Sequence, residues 1–251
     1  MCGRYTLIKL SDFLDVFPWI HAPSNVPEAR YNIAPSQPIL AVTNDGSNQL
    51  TLLQWGLVPS WAKDPSIGNK MINARAETLP TKNAFRSALK RRRCIIPADG
   101  FYEWRREADG KTKTPIYIRM KSHKPFAFAG LWEVWRSDDG SELPTCTIIT
   151  GAPNELLKSI HDRMPIILRP EAAKRWLEPR ELPPEEMMPL LQPYPADEME
   201  AKAVSRAVNN PRTDSAECIE SITDPPSPTP VAAKTVKRKK NPDSDEQPTL
   251  F

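Results

Sequence analysis

Short apolar runs bounded by turn residues recur through the first two thirds of the chain. Runs rich in β-branched, aromatic and aliphatic residues cover residues 38–43, 50–55, 115–120, 125–129 and 145–150. Turn sequences that end in Asp-Gly separate several of these runs, at residues 44–46, 108–110 and 137–140. Runs of this length and composition, bounded in this way, predict β-strands.

Four stretches have the periodicity of short helices. They cover residues 11–17, 82–90, 154–160 and 170–176, and Ser11 is the predicted N-cap of the first. Strands and helices do not alternate regularly, so a parallel doubly wound sheet is not expected. The pattern predicts an α+β fold, with a single domain around an antiparallel, barrel-like β-sheet and peripheral short helices.

Composition changes at about residue 220. Residues 221–251 are rich in Pro, Ser, Thr, Lys and Asp and almost free of large apolar side chains. Such a segment buries too little surface to offset the conformational entropy lost on folding. We therefore predict a folded domain over residues 1–220 and a disordered C-terminal tail over residues 221–251.

Composition also narrows the class of protein. The chain of 251 residues carries a formal net charge of +3, which is compatible with nucleic acid but does not indicate it. The four cysteines form no CxxC pair and the three histidines lack metal-ligand spacing. We expect no metal site, no disulfide framework and no cofactor. The N-terminus does not read as a signal peptide, and no apolar run approaches the roughly 20 residues that span a bilayer. We expect a monomer in the cytoplasm, without membrane contact.

The second residue carries distinctive chemistry. Removal of Met1 leaves Cys2 with a free amine and a thiol on neighbouring carbons. Ordinary pKa values of about 7.7–8.0 for the amine and about 8.5 for the thiol leave both groups partly nucleophilic near neutral pH. With an aldehyde, the amine forms a Schiff base and the thiol closes a thiazolidine ring. By position alone, an incidental cysteine on a frayed terminus is the simpler interpretation.

Further motifs follow Cys2 along the chain. In order they are Arg30-Tyr-Asn-Ile-Ala-Pro35, Trp55-Gly-Leu-Val-Pro-Ser-Trp61, Ile72-Asn-Ala-Arg-Ala-Glu-Thr78, Arg93-Cys-Ile-Ile-Pro-Ala-Asp-Gly-Phe-Tyr-Glu-Trp104, Ala129-Gly-Leu-Trp132, Ile160-His-Asp-Arg-Met-Pro165 and Val204-Ser-Arg-Ala-Val-Asn-Asn-Pro211. Each motif alone is weak. Together, and in this order, they closely resemble the SOS response-associated peptidase family, whose members act on abasic sites in DNA. The resemblance covers roughly residues 2–220.

The resemblance implies an activity and the residues that carry it. Members of that family form a covalent thiazolidine between an N-terminal cysteine and the ring-opened aldehyde of an abasic site, usually in single-stranded DNA. They are also credited with removing their own initiator methionine. By similarity, the catalytic residues of this chain are Cys2, Asn73, Glu103 and His161.

Each matched polar residue has an implied role. An apolar environment would raise the pKa of Glu103 and suit it to move protons during Schiff-base formation. His161 follows a predicted helix, whose C-terminal dipole would favour the protonated imidazole that helps to open the sugar ring. Asn73 would bind a sugar hydroxyl or orient the Cys2 amine. Taken alone, the three residues fit a solvent-facing glutamate, a capping or core histidine and a turn residue.

Nucleic-acid contacts form a second group. Arg4 and Arg75 are candidate phosphate ligands, Trp61 is a candidate stacking platform for a base, and Pro35 could separate neighbouring bases. Two other tryptophans of these motifs, Trp55 and Trp132, are expected in the core. The basic run 90–93 either follows backbone phosphates or forms a solvated helix end.

The tail ends in a possible docking peptide. Gln247, Leu250 and Phe251 resemble the short Gln-x-x-Leu-Phe peptide that binds bacterial sliding clamps, and a disordered tether suits such a contact. A chance match of five residues is the alternative. The basic run 237–240 could contact DNA, or act as a nuclear import signal if the source is eukaryotic.

Three functions fit these features. The first is covalent capture of abasic sites in single-stranded DNA, which would make the protein nucleoid-associated, or nuclear in a eukaryote. The second is a thiol peptidase that cleaves other proteins with Cys2 as N-terminal nucleophile, activated by a Cys–His pair. The third is a non-enzymatic single-strand binding or clamp-recruitment module. Arg4, Arg75 and Trp61 favour the first, because they suit a nucleic acid better than a peptide.

Overall fold

The computed structural model describes residues 2–22, 25 and 27–222. Their strands are β1 Tyr5–Leu7, β2 Arg30–Ile33, β3 Pro38–Thr43, β4 Leu50–Trp55, β5 Asn73–Arg75, β6 Arg93–Ala98, β7 Gly100–Arg106, β8 Lys113–Met120, β9 Phe126–Arg136, β10 Glu142–Gly151, β11 Met164–Pro165, β12 Ile167–Leu168 and β13 Met199–Ala203. The α-helices are α1 Leu10–Val16, α2 Arg86–Arg91, α3 Pro170–Trp176 and α4 Pro184–Met187. The predicted tail over residues 221–251 lies almost entirely outside the described residues, and the domain boundary at residue 220 stays a prediction.

Five strands close into a ring, in the order β4, β3, β6, β9, β10. Four of the five pairings are antiparallel, whereas β10 pairs with β4 in parallel, with Thr145 opposite Gln54. The short β5 also lies parallel to β10. The predicted α+β fold around a barrel-like sheet is confirmed, with these two parallel pairings as departures from a purely antiparallel sheet.

A second sheet of five strands packs against the ring, in the order β13, β8, β7, β1, β2. Its inner face joins the barrel core through aromatic edge contacts: the Tyr5 ring lies 5.4 Å from Trp55, and the Phe101 ring lies 6.0 Å from Phe128. Such edge-to-face pairs stabilise a core beyond simple area burial. Trp55 is buried as expected, and Trp132 packs partly buried against the same core.

The chain passes from one sheet to the other at Asp99, between β6 and β7. The Asp99 side chain accepts hydrogen bonds from the Thr6 hydroxyl and from the Ile8 N–H, the latter at 2.5 Å, and so ties this bend to β1. The next residue must be glycine, because a Cβ on Gly100 would lie 2.2 Å from the Tyr117 hydroxyl. The bend therefore fixes where β7 runs beside β1.

The segment after β13 covers the outer face of the second sheet. Val204, Val208 and Cys218 pack there against Tyr102 and Tyr117 in a small separate cluster. None of the described helices is both long and apolar enough to cross a membrane.

Helix boundaries differ from the sequence prediction at three places. Helix α1 begins one residue early, at Leu10, with Lys9 rather than Ser11 at its N-cap. Helix α2 covers only Arg86–Arg91 of the predicted 82–90 region. The predicted helix 154–160 is a single 3-10 turn, Leu157–Ser159, and the chain bends directly after it, where the Arg163 N–H donates to the His161 ring instead of to a helix carbonyl.

Candidate active site beside the N-terminal strand

Cys2 lies just before β1 and is fully buried. Strand β1 pairs antiparallel with β7, with Tyr5 opposite Phe101, and the Tyr102 N–H donates to the Arg4 carbonyl at 3.0 Å. This pairing runs the first residues of the chain alongside the middle of β7. Cys2 and Glu103 are thereby brought into electrostatic contact, although 100 positions separate them in sequence.

Asn73 holds the backbone of Cys2. Its side-chain amide donates to the Cys2 carbonyl at 2.8 Å. Asn73 is the first residue of β5, which lies beside β10 with Asn73 opposite Ile148. The indole of Trp55 donates to the Ile72 carbonyl at 2.9 Å and fixes the approach of this segment. Asn73 thus lies where it can orient the N-terminal residue.

Glu103 projects from β7 into the protein rather than into solvent. Side chains alternate along a strand, so Glu103 shares its face with the core residue Phe101, and only 2% of Glu103 is exposed. Burial raises the pKa of Glu103 to about 7 because the charged carboxylate loses its hydration. At neutral pH, this carboxyl group can therefore both donate and accept a proton.

The imidazole ring of His161 lies near the Glu103 carboxyl group. Its Nε2 lies 3.9 Å from Glu103 Oε2, while its Nδ1 lies 3.1 Å from the Arg163 N–H and 2.8 Å from Asp162 Oδ1. Burial lowers the pKa of His161. The expected stabilisation of imidazolium by a helix C-terminus is therefore wrong, because one 3-10 turn precedes His161 and desolvation dominates. The neutral ring is the form present at neutral pH.

The thiol of Cys2 also differs from expectation. Burial, followed by the nearby charge of Glu103, raises the pKa of Cys2 far above its ordinary value. The thiol keeps its proton near neutral pH, so the expected partial ionisation is wrong for this buried cysteine. Its Sγ lies 4.0 Å from the Arg4 carbonyl, a weak hydrogen-bond acceptor for S–H at that distance.

The predicted DNA-binding residues lie in different surroundings. Trp61 is 62% exposed and Arg75 is exposed, whereas Pro35 is half-buried in the turn after β2. Arg4 is partly buried and donates to the Asn32 side chain at 2.9 Å and to the Val208 carbonyl at 2.6 Å. Part of its guanidinium is thus used within the protein. Their roles toward DNA stay predictions.

The basic run 90–93 does not follow phosphates as a unit. Arg93 is fully buried at the start of β6 and donates to backbone carbonyl oxygens that include Trp176 at 2.8 Å and Glu178 at 2.7 Å. Arg91 and Arg92 form ion pairs with Glu181 and Glu133. Both sequence interpretations are wrong for Arg93, because its guanidinium is buried and hydrogen-bonds backbone carbonyl oxygens from separate segments of the chain.

Sequence reasoning missed two residues that shape the site. The buried Asn32 donates to the Asn210 and Thr213 carbonyls at 3.0 and 2.7 Å, and so ties β2 to the segment after β13. Arg163 donates to Glu77 at 2.5 Å and to the Thr150 carbonyl at 2.7 Å. Both residues lie within the sequence motifs described above. A polar residue in a motif can equally make hydrogen bonds within the protein or contact a ligand, so the sequence does not distinguish these two roles.

Within the described part of the chain, no group of three or more His, Cys, Asp or Glu side chains is arranged to hold a metal ion. The four cysteines are free thiols, all of them buried. The titratable side chains gathered at this site are the Cys2 thiol, the Glu103 carboxyl group and the His161 imidazole.

Comparison with known proteins identifies the family. The family model described as SOS response associated peptidase matches residues 1–211. The chain belongs to this family. The resemblance seen in the ordered motifs is thus confirmed, and it extends over most of the described residues.

Similar proteins occur in both bacteria and vertebrates. The abasic site processing protein YoqW of Bacillus subtilis (strain 168) is 55% identical over 226 residues, which cover 88% of this chain and 100% of YoqW. The abasic site processing protein HMCES of Gallus gallus is 36% identical, over 71% of this chain and 59% of its own length. A crystal structure of a protein from Bacteroides thetaiotaomicron superposes with a TM-score of 0.77 at 28% identity, over 88% of this chain and 100% of that chain.

Proposed function

We propose that this protein processes abasic sites by forming a covalent thiazolidine with them through Cys2, in single-stranded DNA. The observation that carries the proposal is the meeting of Cys2 with a buried carboxyl group whose pKa is about 7. The names of its relatives, which are abasic site processing proteins, support the choice of substrate. Removal of Met1 is a precondition, because it creates the amine.

The proposed reaction has two steps. The free amine of Cys2 attacks the aldehyde carbon of the ring-opened sugar, and the carbinolamine loses water to give a Schiff base. The Cys2 sulfur then adds to the imine carbon while the S–H proton passes to nitrogen, which closes the five-membered ring. One water molecule leaves in total, and no electrons are gained or lost.

Glu103 suits the proton transfers of the first step. Loss of water from the carbinolamine needs an acid that protonates the departing hydroxyl group, and amine attack needs a base that takes up a proton. A carboxyl group with a pKa of about 7 exists in both forms at neutral pH. His161, 3.9 Å from the carboxyl oxygen, can exchange a proton with Glu103 through its neutral ring.

A thiol peptidase acting on other proteins is the weaker candidate. It would require a thiolate activated by a histidine. The pKa of Cys2 is instead raised by burial, and the His161 Nε2 faces Glu103. We propose peptidase activity only toward the protein's own Met1.

The test is a denaturing gel of purified protein mixed with single-stranded DNA that bears one abasic site. We expect a heat-stable adduct with the wild type, none with Cys2→Ala in the absence of reductant, and with Cys2→Ser an adduct that survives only after borohydride reduction. An uncleaved N-terminal extension should abolish the adduct. A serine adduct as heat-stable as the wild type would contradict the thiazolidine.

We further propose that the tail recruits the protein to a sliding clamp. Gln247, Leu250 and Phe251 lie outside the described residues, so the proposal rests on the sequence match alone. We expect the full chain to bind a purified bacterial clamp and the double variant Leu250→Ala/Phe251→Ala to lose that binding while keeping abasic-site crosslinking. Equal clamp binding by both proteins would overturn it.

A further inference from the structure

The reacting groups of the candidate active site are closed off from water. Cys2 is fully buried, and only 2% of the Glu103 side chain is exposed. A terminal amine with an ordinary pKa of about 7.7–8.0 is mostly an ammonium group at neutral pH. This ammonium must lose a proton before its nitrogen can attack an aldehyde. The proton therefore has to travel from a buried site to water.

Three side chains lead from the buried carboxyl group to the surface. His161 Nε2 lies 3.9 Å from Glu103 Oε2, and His161 Nδ1 lies 2.8 Å from Asp162 Oδ1. The exposed fraction rises along this line, from 2% for Glu103 to 26% for His161 and 87% for Asp162. The first distance is longer than a hydrogen bond, but such contacts in unliganded sites commonly shorten when substrate binds. The imidazole thus lies between a buried carboxyl group and one that is in water.

The Nδ1 atom of His161 has two neighbours that favour opposite tautomers. The Arg163 N–H donates to Nδ1 at 3.1 Å, which requires a lone pair on Nδ1 and places the ring proton on Nε2. The Asp162 carboxylate can only accept, so its contact favours a proton on Nδ1 and leaves the lone pair on Nε2. Only this second tautomer lets Nε2 take a proton from Glu103. Because charge-assisted hydrogen bonds are the stronger ones, Asp162 makes this tautomer accessible.

The other charges around His161 oppose its protonation. Burial lowers the pKa of His161 most, followed by the positive amino terminus, and Lys113 at the start of β8 acts in the same direction. Asp162 counteracts them and raises the pKa of His161. At Glu103, burial is the main cause of the raised pKa, and Asp162 adds to it. Asp162 therefore favours proton binding at both groups that lie between Cys2 and the surface.

We propose that Asp162 is a positioning residue, which binds the Nδ1–H of His161 and so lets the imidazole carry a proton from Glu103 to water. The Glu103 carboxylate first takes a proton from the Cys2 ammonium, which frees the amine. The Glu103 carboxyl group passes this proton to Nε2 and leaves an imidazolium between two carboxylates. Nδ1 then gives its proton to water beside Asp162, and the ring ends as the Nε2–H tautomer. One proton leaves the site, and no electrons are gained or lost. The proposal rests on the function proposed above.

The first test reads the tautomer of His161 without any DNA. Nitrogen-15 NMR of the full chain distinguishes the two ring nitrogens, and His161→Gln identifies the signals of this residue among the three histidines. We expect Asp162→Ala to shift the neutral ring toward the Nε2–H tautomer and to lower the titration midpoint of His161. The matched control is Asp138→Ala, an exposed aspartate in the turn between β9 and β10, which should change neither. An unchanged tautomer and midpoint in Asp162→Ala overturn the proposal.

The second test separates proton transfer from a structural role. Single-turnover crosslinking rates are compared for wild type, Asp162→Ala and Asp138→Ala at pH 7 and at pH 9. We expect Asp162→Ala to be roughly 2- to 5-fold slower than the other two at pH 7, the range for one exposed charge. At pH 9 the three rates should be equal, because the amine has already lost its proton.

The outcomes of the second test are distinct. An equal deficit of Asp162→Ala at both pH values would show a merely structural role and overturn the proposal, and so would the absence of a deficit at pH 7. A wild type that forms no adduct at either pH overturns instead the proposed function. In that case the NMR measurement still decides whether Asp162 sets the tautomer of His161.

Discussion

Arg93 and Glu103 are both charged residues in the interior, yet the protein holds them in opposite ways. Arg93 donates to main-chain carbonyl oxygens, and although burial lowers its pKa to about 10, it stays charged at neutral pH. Glu103 faces a titratable imidazole, and burial raises its pKa to about 7. Arg93 stays charged and holds its hydrogen bonds throughout, whereas Glu103 changes its protonation state near neutral pH. Burial of a charged residue therefore indicates a reactive group only where the residue can change its protonation state near neutral pH.

The largest effect expected from this comparison is on the rate of crosslinking. Glu103→Gln should slow adduct formation by about 10²- to 10⁴-fold, because the general acid and base are both lost. The wild-type rate should fall as pH rises above about 7, where Glu103 loses its proton, and also fall at low pH, where the amine is protonated. Single-turnover rates across this range should show the alkaline decline in wild type and not in the glutamine variant.

A large effect on stability is expected at Arg93. Arg93→Met would leave buried carbonyl oxygens without donors, so the free energy of unfolding should fall by about 3–5 kcal/mol. Arg93→Lys should lose less, because an ammonium group supplies three donors. Urea unfolding followed by tryptophan fluorescence measures both. If the methionine variant were as stable as wild type, the hydrogen bonds of the Arg93 guanidinium would not stabilise the fold.

A smaller and opposite effect on stability is expected at Glu103. Its pKa rises from an ordinary 4.5 to about 7 on folding, so between these values the folded state binds more protons than the unfolded state. The folded protein therefore loses stability as pH rises through this window, because the buried carboxyl group gives up its proton there. Glu103→Gln should be more stable than wild type by roughly 3 kcal/mol above pH 7, with little difference below pH 4.5. A difference that does not change with pH would contradict the raised pKa.

Local features of the fold were predictable from sequence. Strands β3 and β4 and helix α3 coincide with the predicted ranges, because short apolar runs with turn residues at their ends specify them locally. The parallel pairing of β4 with β10 joins segments about 90 residues apart, and no local pattern reports it. The helix predicted at 154–160 shortens to one 3-10 turn because the chain bends at His161, whose ring accepts the Arg163 N–H.

The candidate site was predictable only through family resemblance. Nothing in the spacing of Cys2, Asn73, Glu103 and His161 indicates that β1, β5 and β7 bring them together. The direction of the His161 pKa shift depends on desolvation, which only the fold reveals. The same holds for Arg93, where the sequence displays a basic run and the structure a buried guanidinium.

The most direct test of the central claim is the intact mass of the protein before and after exposure to abasic single-stranded DNA, with and without borohydride. We predict loss of Met1 beforehand and then one adduct per chain, lighter than the sum of its parts by one water and unchanged by borohydride, since a closed thiazolidine has no imine to reduce. An adduct that gains two hydrogens under borohydride, or one that forms with Met1 still attached, would contradict the aminothiol mechanism.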